Sequence, residues 1–222
     1  MSPAEAETVW TIVVAGGTGM RFGRAKQYEP IGGRRVIDRS ADVARAVSEG
    51  VVLVVPPGDV AEERGVAGGA TRSASVRAGL AAVPAEATIV CVHDAARPFA
   101  TEGLYHAVIE AVRAGADGAV PGLAVTDTIK VIAGDIAHGA RVVSTPDRAT
   151  LVGVQTPQAF RADVLRRAHA AGGEQTDDAA LVEAAGGTVV VVPGDPDNRK
   201  LTHPEDLAWA RQRAQAQLEE RA

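Results

Sequence analysis

The sequence predicts an α/β fold, a mainly parallel, Rossmann-like sheet flanked by helices and carrying an inserted β-arm. Three observations point there. Apolar, β-branched runs at residues 8–15, 51–55, 88–92, 118–120 and 188–192 alternate with segments of helical period, and continuous apolar runs of this kind are strands buried on both faces of a parallel sheet. The helical segments fall at residues 36–47, 73–83, 101–114, 161–171, 177–185 and 204–218. Residues 123–158 interrupt the alternation, with no helical period and only short β-type runs at 128–132, 141–144 and 151–154. They read as an inserted β-arm that leaves the main sheet.

The elements have local reasons. The run 8–15 ends where Gly16, Gly17 and Gly19 break the strand. Ser73 opens a helix after Gly68 and Gly69. Thr101 opens the next, with Leu104, Val108, Ile109 and Val112 on one face and Glu102 well placed in the first turn. No repeat, low-complexity tract or linker divides the chain, and 222 residues suit a single domain, 1–222, with the arm as an insertion. Aromatic content is only 3%, so small aliphatics build the core.

Composition excludes several function classes. Lys and Arg number 23 against 28 Asp and Glu, a net charge of −5, so no general attraction to nucleic acid or anionic membrane is expected. Phosphate binding has to be local. No apolar run approaches the roughly 18 residues of a membrane helix, and a soluble, cytoplasmic protein is expected. Cys91, the one cysteine, lies in an apolar run and reads as a small buried hydrophobe. A disulfide framework and a cysteine zinc site are excluded.

Three constellations carry chemistry. The first is Gly16-Gly-Thr-Gly19 after the opening strand, with Arg21 and Lys26 beyond it. Glycines there let backbone N–H groups close around an anion, and the two cations suit a triphosphate. A plain glycine turn is the competing reading. No Gly-Lys-Ser/Thr completes a Walker loop, and the Gly16-x-x-Gly19 spacing misses the dinucleotide fingerprint. The second is His93-Asp-Ala-Ala-Arg97-Pro-Phe99 after the run 88–92, which brings Asp94 and Arg97 out at a strand's carboxyl end, where open α/β sheets place their ligand crevice. A carboxylate there can hold Mg²⁺ and an arginine can meet a phosphate; alternatively the two merely pair and cap the next helix. The third, Gly68-Gly-Ala-Thr-Arg72-Ser-Ala-Ser75, is by itself an ordinary helix start.

With these, Lys26-Gln-Tyr28, Asp127-Thr128, Asp147-Arg148, Gln155-Thr-Pro-Gln158, Thr176-Asp-Asp178 and Asn198-Arg-Lys200-Leu-Thr202 form an ordered set over nearly the whole chain. The set resembles the 2-C-methyl-D-erythritol 4-phosphate cytidylyltransferases, CTP-using nucleotidyltransferases of the non-mevalonate isoprenoid route. The resemblance implies that Ala15, Gly16, Gly17 and Gly19 wrap the CTP phosphates and that Gly69, Ala70 and Ser75 hold the cytosine. By the same resemblance Arg21 and Lys26 stabilise the transition state, and Asp94 binds Mg²⁺ or another divalent metal. Asp94, Arg97, Thr128, Arg148, Thr156 and Lys200 would hold the polyol phosphate, with Arg148 and Lys200 also catalytic. A homodimer follows, its arms completing each other's substrate site. A phosphate monoester, with a second pKa of about 6, is mostly dianionic near neutrality, so no general base is required. His93 reads as structural or as orienting Asp94, and His203 as part of the segment that positions Lys200. His106, His138 and His169 read as surface residues without partners.

Three departures from the family pattern stand out. The interval from Arg21 to Lys26 is short and lacks the usual proline, which puts the position of Lys26 in question. Residues 57–68 are trimmed, leaving about one helical turn at 59–64 and a sheet one strand smaller. Arg199 replaces an apolar residue and is expected to face solvent. Ribitol 5-phosphate cytidylyltransferases share these motifs, but Ala96 stands where they tend to carry Val. A non-catalytic nucleotide sensor would keep the glycines and lose Arg21, Lys26, Asp94 and Lys200. An NAD-dependent oxidoreductase would need an acidic residue after the second strand, where Pro56 and Pro57 stand instead.

Overall fold

The computed structural model describes residues 7–17 and 25–220. Strand β1 (Val9–Val14) is followed by a short ladder of β2 (Pro30–Ile31) with β3 (Arg34–Arg35), then α1 (Val36–Val47), β4 (Gly50–Val55), the single turn α2 (Val60–Glu63) and β5 (Val66–Ala67). Next come α3 (Arg72–Ala82), β6 (Ile89–Asp94), α4 (Glu102–Arg113) and β7 (Gly118–Ala124). The chain then leaves the sheet as a hairpin of β8 (Val131–Ala133) and β9 (Arg141–Ser144), returns as β10 (Val152–Val154) and β11 (Gln158–Arg161), and continues through α5 (Ala162–Ala170), α6 (Asp178–Ala184), β12 (Val189–Pro193) and α7 (Asp206–Glu219).

One sheet takes the order β10, β7, β11, β6, β1, β4, β5, with β12 also pairing to β7. Strands β6, β1, β4 and β5 are parallel neighbours, and β7 and β12 are parallel to each other. β11 runs antiparallel between β6 and β7. The apolar runs are continuous because both faces are covered. Ile12, Val54, Val90 and Val92 pack on one face with α3, α5 and α6, while Val13, Val55, Ile89 and Cys91 pack on the other with α1 and α4. Burial pushes the Cys91 thiol up to about 12, which suits an inert hydrophobe. A third apolar cluster joins α7 to β2 and α1 through Ile31, Val36, Leu207, Ala210 and Ala214, and takes in Phe99 and Leu201.

Several expectations are corrected. Residues 123–158 are not all arm. Val152–Val154 pairs with β7, and Gln158–Arg161, read as the arm's end and the start of a helix, is an interior antiparallel strand. Two apolar residues beside a proline carry no period; only the neighbours β6 and β7 make this segment a strand. The trimmed stretch keeps a two-residue strand, β5, so the sheet loses no strand there. The helix expected to open at Ser73 begins one residue earlier, because the Thr71 hydroxyl accepts the Ala74 N–H at 3.0 Å and caps it.

Helix α3 reaches the sheet through Gly79. A Cβ there would stand 2.6 Å from Ile12 Cγ2 and 3.0 Å from Val54 Cγ2. Gly79→Ala is therefore expected to lower stability by about 1–2 kcal/mol in urea denaturation, since overpacking outweighs the roughly 1 kcal/mol of helix propensity that alanine gains. A raised midpoint would show that the two branched side chains yield to the methyl group.

Candidate active site

The carboxyl ends of β1, β4, β5 and β6 open on a cleft of about 620 Å³. Ala15, Gly16 and Gly17 line it from β1, Gly68 to Arg72 from the turn into α3, Asp94 to Ala96 from β6, and Lys26 and Lys200 from the side. The two glycine turns nearly touch. A Cβ on Gly68 would lie 3.3 Å from Gly16 Cα and 3.1 Å from Ser75 Oγ, and one on Gly69 only 2.5 Å from Ala74 Cβ. Side chains are excluded here by close backbone approach. Ser75 Oγ accepts the Gly69 N–H at 3.1 Å and donates to the Thr71 carbonyl at 2.9 Å, so this hydroxyl, expected at the cytosine, also shapes the turn that carries Gly69 and Ala70.

Asp94 ends β6 and is buried between cations. Lys200 Nζ donates to its Oδ2 at 2.6 Å, and Arg72 Nε to its Oδ1 at 3.3 Å. Burial works to raise the Asp94 pKa, but Arg72, then Lys200 and Arg97, outweigh it and hold the carboxyl well below the usual carboxylate range. Arg72 also donates through Nη1 to Asp178 Oδ2 at 2.7 Å. Burial opposes its charge, yet Asp94 and Asp178 together keep its pKa above the ordinary guanidinium value. Behind Asp94, the Thr156 hydroxyl accepts the Asp94 backbone N–H at 3.0 Å and donates to His93 Nδ1 at 3.1 Å. That direction leaves the proton on His93 Nε2, which donates to the Arg97 carbonyl at 3.2 Å. Burial pushes the His93 pKa down to about 4, so near neutrality it is an uncharged spacer and not an acid or base.

Lys200 sits on a braced segment. The buried Asn198 donates through Nδ2 to the Thr156 carbonyl at 2.8 Å, Arg97 Nη1 donates to the Asn198 carbonyl at 2.7 Å, and the Leu201 N–H donates to the Ala96 carbonyl at 2.8 Å. Lys26 Nζ donates to the Leu201 carbonyl at 2.7 Å, so the shortened interval still delivers this lysine to the cleft. Asp206 accepts the N–H groups of Thr202 and His203, which ties His203 to the same turn. Arg199 is exposed, as expected, and its guanidinium stacks 4.7 Å from the Trp209 ring centroid.

The structure thus gathers Ala15, Gly16, Gly17, Lys26, Gly69, Ala70, Ser75, Asp94 and Lys200 around one cleft, with Thr156 and Arg97 attached to its floor. Gly19 and Arg21 lie outside the described residues. Thr128 and Arg148 do not line this cleft: both are exposed on the arm, where Arg148 Nη1 donates to the Thr126 carbonyl at 2.6 Å. Arg97 also borders a second hollow of about 360 Å³ at the base of the arm, beside Thr126 and Asp127. His169 corrects its expectation: it is buried, with Nε2 donating to Asp178 Oδ1 at 3.0 Å. It lies four residues after the buried Leu165, on the helix face a wheel would have marked as inward. Arg72 and Asp178 were missed as site residues although both belong to quoted motifs. Two opposite charges distant in sequence gave no sign that they meet. Among the described residues no three His, Cys, Asp or Glu gather as a metal cage, so Asp94 stands as a lone carboxylate facing the cleft.

A family model described as IspD, 2-C-methyl-D-erythritol 4-phosphate cytidylyltransferase, matches residues 9–217. A curated relative, the bifunctional enzyme IspD/IspF of Anaeromyxobacter dehalogenans (strain 2CP-C), is 48% identical over 223 residues, covering 92% of this chain and 56% of the relative. The chain spans about half the length of the curated relatives it matches. Among solved structures it is similar to 2-C-methyl-D-erythritol 4-phosphate cytidylyltransferase from Thermus thermophilus, with 37% identity and a TM-score of 0.78 over 94% of this chain and 99% of that one. It is also similar to 4-diphosphocytidyl-2C-methyl-D-erythritol synthase from Anaerococcus prevotii, with 29% identity and a TM-score of 0.81 over the same 94% and 99%.

The Thr156 hydroxyl serves two buried partners at once, so Thr156→Val is expected to cost about 1–3 kcal/mol by leaving the Asp94 N–H and His93 Nδ1 unpaired. Thr156→Ser, which keeps the hydroxyl, should lose less in the same denaturant titration. Equal losses would show that the methyl group, not the hydrogen bonds, matters.

Proposed function

The chain belongs to the 2-C-methyl-D-erythritol 4-phosphate cytidylyltransferase family, and on that premise we propose that it joins CTP to 2-C-methyl-D-erythritol 4-phosphate, releasing pyrophosphate and 4-diphosphocytidyl-2-C-methyl-D-erythritol. Asp94 carries this reading: an ionised, buried carboxylate between Lys200 and Arg72, at the edge of a glycine-lined cleft of about 620 Å³. That arrangement suits a reaction in which two phosphate-bearing anions must meet.

A phosphate oxygen of the polyol forms the new bond to the α-phosphorus of CTP, and the bond from that phosphorus to the bridging β-phosphate oxygen breaks, its electron pair leaving with pyrophosphate. The nucleophile is already ionised, so no proton has to be removed. Positioning and charge neutralisation do the rest. Backbone N–H groups of Gly16, Gly17 and Gly19 would take the triphosphate beside Ala15, whose own N–H is held by the Val54 carbonyl at 2.7 Å, and Arg21 and Lys26 would take the charge developing on it. Gly69, Ala70 and Ser75 would hold the base. Mg²⁺ fits a lone carboxylate, because it keeps several waters and takes substrate phosphates as its remaining ligands; the loose 3.3 Å Arg72 contact leaves Asp94 Oδ1 the more available oxygen. When bound, the metal would neutralise charge and align the phosphates. Lys200 and Arg97 would hold the polyol phosphate, whereas Thr156, expected beside them, has its hydroxyl committed to the Asp94 N–H and His93 Nδ1 and braces Asp94 from behind.

Thr128 and Arg148 would act from a second copy. The β8–β9 hairpin exposes Val131, Ile132, Val142 and Val143, and a two-stranded hairpin cannot bury such groups alone. A homodimer with clasped arms would cover them. No helix among the described residues is long and apolar enough to cross a membrane.

Pyrophosphate release should require CTP, methylerythritol 4-phosphate and a divalent metal together, with far less from ATP, GTP or ribitol 5-phosphate; equal turnover of the ribitol compound would overturn the substrate assignment.

Lys26→Ala should slow turnover roughly 10² to 10³-fold, the scale for one lost preorganised charge-stabilising group, with little change in melting temperature. Survival of activity within a few-fold would remove Lys26 from the catalytic set.

Refolding Lys26→Ala with Arg148→Ala should restore activity, because a mixed dimer holds one site lacking both groups and one intact site. Detected heterodimers that stay at the background of each variant would show that Arg148 serves its own subunit.

A further inference from the structure

Behind the cleft lies a buried ion pair that the proposed chemistry does not use. Asp178, the first residue of α6, is wholly buried, with Arg72 Nη1 on one carboxylate oxygen at 2.7 Å and His169 Nε2 on the other at 3.0 Å. The same guanidinium faces the cleft and reaches Asp94 Oδ1 only at 3.3 Å. Its short, charge-assisted bond therefore goes backward to Asp178 and its long one forward to Asp94. A planar guanidinium prefers two parallel bonds to one carboxylate. Deprived of Asp178, Arg72 would be free to turn that fork onto Asp94, whose other oxygen is already held by Lys200 at 2.6 Å.

We propose that Asp178, oriented by His169, is a positioning residue that holds Arg72 back from Asp94, so that Asp94 keeps an oxygen open to a divalent cation carried with the nucleotide. This rests on the proposed nucleotidyl-transfer reading and extends it to a residue that touches neither substrate nor metal. Arg72 lends positive charge that keeps Asp94 ionised, and Asp178 stops that charge from becoming a competitor. The division depends on burial: a carboxylate without solvent has to retain its counter-ion.

The test is the affinity for CTP, measured calorimetrically with and without MgCl₂, on the wild-type chain, Asp178→Asn and the double variant Arg72→Gln/Asp178→Asn. The ratio of the two dissociation constants reports how strongly metal and nucleotide bind together, and no turnover is involved. Asp178→Asn should reduce that ratio by about tenfold, the low end for losing a group that orients a metal ligand. The double variant should return it to within about threefold of wild type, because the competing cation has gone, whereas a merely structural loss would persist. Circular dichroism melts report folding separately. If Asp178→Asn does not fold, the double variant, which buries no unpaired charge, decides alone: a wild-type ratio supports the proposal and a tenfold loss overturns it. An unchanged ratio in Asp178→Asn overturns it with the functional reading intact. Absence of any metal effect on CTP binding by the wild type overturns the metal part of the functional reading, and this proposal with it.

Discussion

A carboxylate taken almost wholly out of water has to be answered by cations and hydrogen bonds, and Asp94 is where this molecule meets that demand. Its partners arrive from separate parts of the chain: Arg72 from α3, Lys200 from the segment before α7, and the Thr156 hydroxyl from the turn between β10 and β11. Each partner is braced in turn, Arg72 by Asp178, Thr156 by His93, and Lys200 by its neighbour Asn198. The charge of one side chain at a strand end thus ties the first half of the chain to the second.

The scaffold makes such convergence possible through two kinds of close approach. Gly16 and Gly68 let two strand-end turns approach so closely that a Cβ on Gly68 would stand 3.3 Å from Gly16 Cα, so backbone rather than side chains lines this part of the cleft. The third apolar cluster acts from outside the sheet. It joins Ile31, five residues past Lys26, to Phe99, two past Arg97, and Leu201, one past Lys200, and packs all three under Leu207, Ala210 and Ala214 of α7. Trp209 meets Phe99 nearly edge-on at 5.3 Å and carries Arg199 on its face. Helix α7 contributes no group to the cleft, yet it sets the relative positions of three segments that do.

The arm is the opposite case. Among the described residues its strands β8 and β9 pair only with each other, and their valines and isoleucine stay exposed in a single chain. Apolar groups left in water on so thin an element mark a surface built for cover from outside, and a second copy is the cover we propose. Arg148 donates its guanidinium to the Thr126 carbonyl at the arm's base and stays exposed.

Local chemistry decided what was legible in the sequence. The strands of the parallel core, the helices of clear period, the glycine turn after β1 and the placing of Asp94 at a strand's carboxyl end all follow from patterns within a few residues. Even the exposed Arg199 and the single turn at α2 could be read that way. What only the tertiary structure decided depends on neighbours distant in sequence. Gln158–Arg161 is a strand because β6 and β7 flank it; His169 is buried because Asp178 waits beside it; Arg72 belongs to the site because two carboxylates, 22 and 106 residues away, converge on it. A short polar segment or a lone charge has no periodicity to declare its place. Its role is set by desolvation and by the partner that answers it, and both exist only once the chain has folded.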